Sequence, residues 1–276
     1  MYVLFALISM SSLSVGTFMA RSIAMRLPPF QIVGPLFFFN ALYIIPIAIF
    51  RGNWHKLSSI EYLQNFLVGA LTALGGLLFF TIVKRTSASS GIIGQSISPA
   101  VVLFIAPFML GTRIGVLQLL AVAVLISAVI YPVRNVIAGL SSKFTITLML
   151  TQGIVSALIS ILITQISKSG VEISQTLIIQ QVVAGLILTP IFFPKAITLS
   201  DFPKLARRSF MMSMGWFFSF LAFKSGNVII VQSILAAMPM TIVFIESFSY
   251  RKRPDNRIVF SSSIIIICII MLSLFT

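Results

Sequence analysis

One cysteine, one histidine and five acidic residues in a chain of 276 are the scarcities that narrow its function first. A single cysteine, Cys268, excludes an internal disulfide framework, and with His55 the lone histidine no His/Cys set is available to ligate a metal. Cys268 lies in the apolar run 264–270, where it serves as a small filler. The acids form no paired carboxylates, the histidine stands beside no serine or cysteine nucleophile, and no glycine-rich loop cradles phosphate ahead of a lysine. Enzymatic chemistry is therefore not expected, nor is a cofactor. Charge is scarce too, at 9% of residues. A soluble domain carries about a quarter.

What the chain has instead is apolar residues, 58% of the total, at a mean hydropathy of +1.10. Cutting the sequence at its charges leaves ten apolar blocks of membrane length: 2–20, 30–50, 62–83, 88–110, 115–132, 144–166, 173–193, 209–223, 227–248 and 258–275. A helix needs about 20 residues to cross the hydrocarbon core, so ten use roughly 200 and leave no room for a soluble domain. Lipid admits only helices or closed barrels, and these blocks are too long and too evenly apolar for barrel strands. The first block has no basic leader and is expected to be a retained helix rather than a signal peptide. The eighth, bounded by Arg208 and Lys224, is the shortest and must recruit its flanks or sit in thinned bilayer.

A shift of about 140 residues lays the second half on the first. Gly75 then falls on Gly215, Phe80 on Phe220, Lys84 on Lys224 and Pro99 on Pro239. Each half places a lysine at the end of its third helix and a proline midway down its fourth. Five is an odd number, so the second copy enters the membrane inverted. The expected fold is thus an all-α polytopic membrane protein of ten transmembrane helices in two inverted five-helix repeats, 1–138 and 139–276, with a site between them near the midplane.

Charge placement sets an orientation. Fourteen of the nineteen Lys and Arg fall in connections after odd-numbered helices, Arg207 and Arg208 among them; the other five are Arg51, Lys56, Arg113, Lys168 and Lys224. By the positive-inside rule the fourteen are cytoplasmic and both termini lie outside. The net charge of +14 is read in this way, and no nucleic-acid partner is expected.

Polar residues inside the spans form stripes at helical spacing. Gly91, Gly94, Gln95 and Ser98 share one face of the fourth helix, which ends at Pro99; it suits either close packing or a cavity wall where the break frees carbonyls. On the ninth, Gln232, Leu235, Ala236, Pro239 and Glu246 fall near one stripe. Glu246 is the one acid within a span, and a carboxylate there is a candidate for proton coupling or, beside Arg251, Lys252 and Arg253, for an interfacial ion pair. Gln152, Ser156, Ser160 and Thr164 recur every four residues on the sixth helix, as a polar path or as hydroxyls satisfying upstream carbonyls. Gln175, Thr176, Gln180 and Gln181 on the seventh, with Glu172 just before it, read as an interfacial end. Asn40 and Tyr43 share a face of the second, and Trp216, Phe220 and Phe223 form an aromatic stretch on the eighth, suited to packing or to an apolar or cationic solute. The expected substrate-binding set is Gln95, Ser98, Gln152, Ser156, Trp216 and Gln232, with Pro99 and Pro239 as helix breaks. Lys84 and Lys224 complement helix dipoles and snorkel to water, or hold an anion if one reaches inward.

Three segments carry a family resemblance: RLPPFQIVGPLFFFNALYI (26–44), KRTSASSGIIGQSISPAVVLFIAPFMLGTRI (84–114) and FKSGNVIIVQSILAAMPMTIVFIE (223–246). With ten short-looped helices in inverted halves, they resemble the EamA-like branch of the drug/metabolite transporter superfamily. The resemblance implies secondary transport by alternating access, a central cavity lined by helices 1, 3, 4, 6, 8 and 9, and export of amino acids or other small metabolites. Two departures are visible. Where the family often closes the fourth helix with Leu-Gly-Glu, this chain has Leu110-Gly111-Thr112 and, in the second half, Lys252. Many relatives also have cytoplasmic termini, against the charge distribution.

The resulting expectation is a small-metabolite exporter of a prokaryotic inner membrane, whose partners are its solute, the lipid bilayer and a coupling proton, with monomer and homodimer both open. An organic-anion or sugar-phosphate carrier using Lys84 or Lys224 is the second reading, and a lipid-handling intramembrane enzyme a third.

Overall fold

The computed structural model describes residues 1–52, 54–86, 88–111, 115–138, 143–251 and 256–274. Every regular element among them is helical: α1 (Tyr2–Arg26), α2 (Pro29–Arg51), α3 (Ser59–Arg85), α4 (Ala88–Ile93), α5 (Ser98–Leu110), α6 (Val116–Ala138), α7 (Lys143–Lys168), α8 (Ile173–Ile191), α9 (Phe202–Ser225), α10 (Val228–Leu235), α11 (Met238–Ser249) and α12 (Asn256–Leu274). Local chemistry sets several boundaries. Pro29 opens α2, where its missing N–H costs nothing, and Gly52 ends it at φ 64°, a left-handed conformation that glycine adopts without penalty. Ser58 and Glu61 form a reciprocal capping box at the start of α3.

Six rods are long and apolar enough to cross a membrane: α1, α2, α3, α7, α8 and the interrupted rod Val228–Ser249 formed by α10 and α11. The chain is therefore a multi-pass membrane protein. Thr112, Arg113, Lys252 and Arg253 lie outside the described residues.

The short eighth block, 209–223, is corrected by α9, a helix of 24 residues that begins at Phe202. Thr198 and Asp201 cap the turn that leads into it, and Asp201 is held 3.1 Å from Arg26. Lys204 and Arg207 are exposed, whereas Leu205, Arg208 and Ser209 are buried. That alternation is one face of a helix already under way. Arg208 accordingly belongs to a packed helix, not to a loop.

The fourth helix is also not the continuous rod its stripe assumed. A 3₁₀ turn, Gly94–Ile97, separates α4 from α5, and the ninth helix breaks between α10 and α11. In both cases proline follows in the first turn of the outgoing helix, Pro99 in α5 and Pro239 in α11. Proline has no N–H for the carbonyl four residues back, so Gln95 and Leu235 each lose a helical donor. The freed chain does not open wholly toward solute: the Ser96 hydroxyl donates to the Ala236 carbonyl at 2.9 Å.

Packing runs α1 against α9, α3 against α7, α2 against α8 and α6 against α12. Glycine permits three close approaches. A Cβ on Gly94 would strike the Met149 carbonyl of α7, and one on Gly215 of α9 would meet Leu13 of α1 at 2.6 Å. A Cβ on Gly91 would likewise strike Val83, so Gly91 and Gly94, half of the fourth-helix stripe, are packing surface. The glutamines of α8 are interhelical fasteners: Gln181 accepts from Asn40 at 2.9 Å, Gln180 donates to Asn65 at 3.0 Å, and Gln175 pairs with the His55 backbone. Hydrogen bonds of this kind stabilise helix pairs in lipid.

Candidate functional site

The crossing helices form a cavity of about 110 Å³ lined from α1, α2, α3, α7, α9, the α10–α11 rod and the interrupted fourth helix. A single water needs only ~10–15 Å³ by a comparable measure, so the space accepts a solute. Its wall is mostly aliphatic and aromatic, with Phe79, Phe80, Trp216 and Phe223 on it.

Five of the six expected binding residues meet there: Gln95, Gln152, Ser156, Trp216 and Gln232. They come from four separate rods. Ser98, the sixth, stands behind the wall and accepts from the Gln232 amide at 2.6 Å. Gln232 also takes a hydrogen bond from Ser160 at 2.7 Å and lies 3.4 Å from the Ser156 hydroxyl. It therefore ties α10 to both α5 and α7 while showing an edge to the cavity. Thr164 turns its hydroxyl to the Ser160 carbonyl of its own helix, as serine and threonine in spans often do. Asn40 lines the cavity, whereas Tyr43 packs edge-on against Phe210.

Other candidates lie elsewhere. Lys84 and Lys224 are exposed helix ends and neither lines the cavity. Pro99 and Pro239 are buried and act through the backbone breaks. Glu246 is half-buried on α11, away from the lining, and its Oε1 has no hydrogen-bond partner in the protein. Among the described residues, Arg21 of α1 is the opposing charge that acts on it.

The residue that sequence reasoning missed is Arg208. It is the one charged side chain on the wall among the described residues. The arginine is 4% exposed, and its guanidinium carbon sits 4.8 Å from the Phe80 ring centroid. Such a cation–π contact is worth about 0.5–2 kcal/mol, well short of a full counter-charge. No carboxylate lines the cavity, and Nε has no acceptor. Three neighbours on the same wall are also incompletely satisfied by the protein: both amide atoms of Gln152, Oδ1 of Asn40 and Oγ of Ser219. The signal available beforehand was the spacing Leu205, Arg208, Ser209, Met212, which continues the face of the following helix.

Outside the spans, two acids make structural ion pairs. Glu172, the residue before α8, meets Arg51 at 2.9 Å. Burial pushes its carboxyl up, but the hydrogen bond and charge of Arg51 outweigh that and hold it below the usual range. Asp201 is held low by the Thr198 hydroxyl and N–H, with Arg26 adding to the effect.

Residues 1–133 match the EamA-like transporter family, a branch of the drug/metabolite transporter superfamily. One solved crystal structure, among 28 matching chains, superposes at a TM-score of 0.78 over 99% of each chain with 14% identity, a likeness of fold. No curated protein matches the chain in sequence.

Proposed function

Because residues 1–133 match the EamA-like transporter family, we propose that the chain is a membrane transporter of the drug/metabolite type that moves a small metabolite, an amino acid or similar, by alternating access. The observation that carries the proposal is the cavity at the crossing of seven rods, where Gln95, Gln152, Ser156 and Gln232 join Asn40, Arg208 and Ser219 on a wall that is otherwise largely apolar. Residues in those roles bind and orient; none is placed for bond chemistry.

Ten rods result when α4–α5 and α10–α11 each count as one interrupted helix, and we read them as two inverted repeats, 1–138 and 139–276. Packing supports this. Exchanging the halves turns the α1–α9 contact into α7–α3 and the α2–α9 contact into α8–α3, and both partners of each exchange are present. Rocking of one half against the other about the two broken rods would then expose the cavity to alternate sides. Export from a prokaryotic inner membrane is the expected direction and place. Removing Arg208 from the loop tally leaves the excess of positive connections on the same side, which keeps the termini outside. Glu246 is the proposed proton carrier.

Purified protein in liposomes should show saturable uptake and counterflow of its solute. Product formation without flux would instead support the enzyme reading.

A further inference from the structure

We propose that Arg208 is a substrate anchor, and that the cavity takes a small organic acid whose carboxylate pairs with its guanidinium and whose hydrogen-bond donor reaches Asn40 and Gln152. The inference rests on the transporter reading and specifies its substrate class.

A cation removed from water without a partner is costly, and proteins normally pair it or bring it to the surface. Arg208 does neither: it is 4% exposed, stacked on Phe80, and faces a cavity that no carboxylate lines. The missing charge is most simply supplied by whatever occupies the cavity. A guanidinium presents paired donors in a plane that matches a carboxylate, so an arginine here favours a planar acid over a point anion. One cation balances a monoanion; a phosphate dianion would carry a second charge into an apolar wall.

The remaining chemistry narrows the ligand further. Asn40 Oδ1 and Gln152 Oε1 are acceptors without donors, while Gln152 Nε2 and Ser219 Oγ are free to donate. All belong to side chains at most 2% exposed that line the same space. Unmet acceptors call for an N–H or O–H on the ligand, beside its carboxylate. Trp216, Phe79 and Phe223 supply the apolar counterpart for its body. An α-hydroxy acid with an aliphatic or aromatic side chain fits each requirement, and an α-amino acid fits the carboxylate and donor requirements, its ammonium held by the same neutral acceptors. Lys84 and Lys224, exposed at helix ends, are not needed for anion recognition.

The test uses the full chain in detergent, probed with L-leucine, 2-hydroxy-4-methylpentanoate, the amide of each, and isobutyl phosphate. Ligand binding raises the thermal midpoint by mass action. Both acids should raise it more than their amides, with apparent affinity at least about tenfold tighter, and Arg208→Met should abolish the difference while Arg208→Lys keeps part of it. Acids that shift the wild type no more than their amides, or that shift Arg208→Met equally, overturn the proposal. A larger shift from isobutyl phosphate overturns the carboxylate assignment. Ligand-free Arg208→Met should melt no lower than wild type, because an unpaired buried charge has been removed; a lower midpoint means the arginine is structural. Counterflow separates the two readings. Acid preference without flux defeats transport alone, and flux that is indifferent to Arg208→Met defeats this inference alone.

Discussion

Ser96 and Ala236 stand 140 residues apart in sequence, the offset that lays one half of the chain on the other, and the hydroxyl of the first donates to the carbonyl of the second at 2.9 Å. The bond joins the interrupted fourth rod to the interrupted ninth one where both have lost helical hydrogen bonds to proline. Ser96→Ala leaves that carbonyl without its partner, and interhelical hydrogen bonds in membranes are worth about 0.6 kcal/mol on average and up to ~1.7 kcal/mol. A loss within that range is expected in the unfolding midpoint of detergent-purified protein, together with slower flux if the two breaks move as a unit. Unchanged stability would mean that the carbonyl finds another donor.

Legibility in the sequence followed the physics of each feature. Pro99 and Pro239 were readable because a proline midway along a span removes the donor for the carbonyl four residues back, although Pro35 and Pro46 sit inside α2 without ending it. The cavity residues on α7 and α10 were readable because glutamine and serine at four-residue spacing stand out in an apolar run. Arg208 was not, because charges were used to mark where helices end, and an arginine inside a cavity defeats that rule. The role of Gly94 was hidden by treating the fourth rod as one continuous helix, since the 3₁₀ turn rotates its faces. Gln180 and Gln181 read as a helix end in the sequence because their partners, Asn65 and Asn40, lie on other helices and periodicity carries no information about them.

Gln152 and Gln232 provide an internal contrast. Both are buried and both line the cavity, but Gln232 is bonded to Ser98 and Ser160 whereas neither amide atom of Gln152 has a partner. Gln152→Met should therefore leave the midpoint of ligand-free protein unchanged or higher, because it removes unmet polar groups, yet raise KM for transport about tenfold, or ~1.4 kcal/mol. Gln232→Leu should lower the midpoint as well as transport. Equal destabilisation by the two substitutions would assign Gln152 to packing.

A pH effect is expected from Glu172. Its folded-state carboxyl lies below the unassisted value of 4.5, so its pairing with Arg51 contributes fully above about that pH and is lost as pH falls through the lowered folded value. The partners are partly solvated, which limits the contribution to at most ~1 kcal/mol. Glu172→Gln should cost that much at pH 7 and progressively less in acid, with the two stability curves converging. Curves that stay parallel to low pH would show that the pair contributes nothing through ionisation.

Glu246 is the residue proposed to couple transport to protons. It lies away from the cavity lining with Oε1 unbonded and Arg21 as its opposing charge, so it can load and release a proton without touching solute. A glutamine there retains the shape and a donor but cannot change charge. Glu246→Gln should abolish uptake driven by a pH gradient in liposomes while leaving solute counterflow, which needs no net proton movement, within about twofold of wild type. Retention of gradient-driven uptake would remove the carboxylate from the coupling step, and loss of both activities would make it part of the conformational change itself.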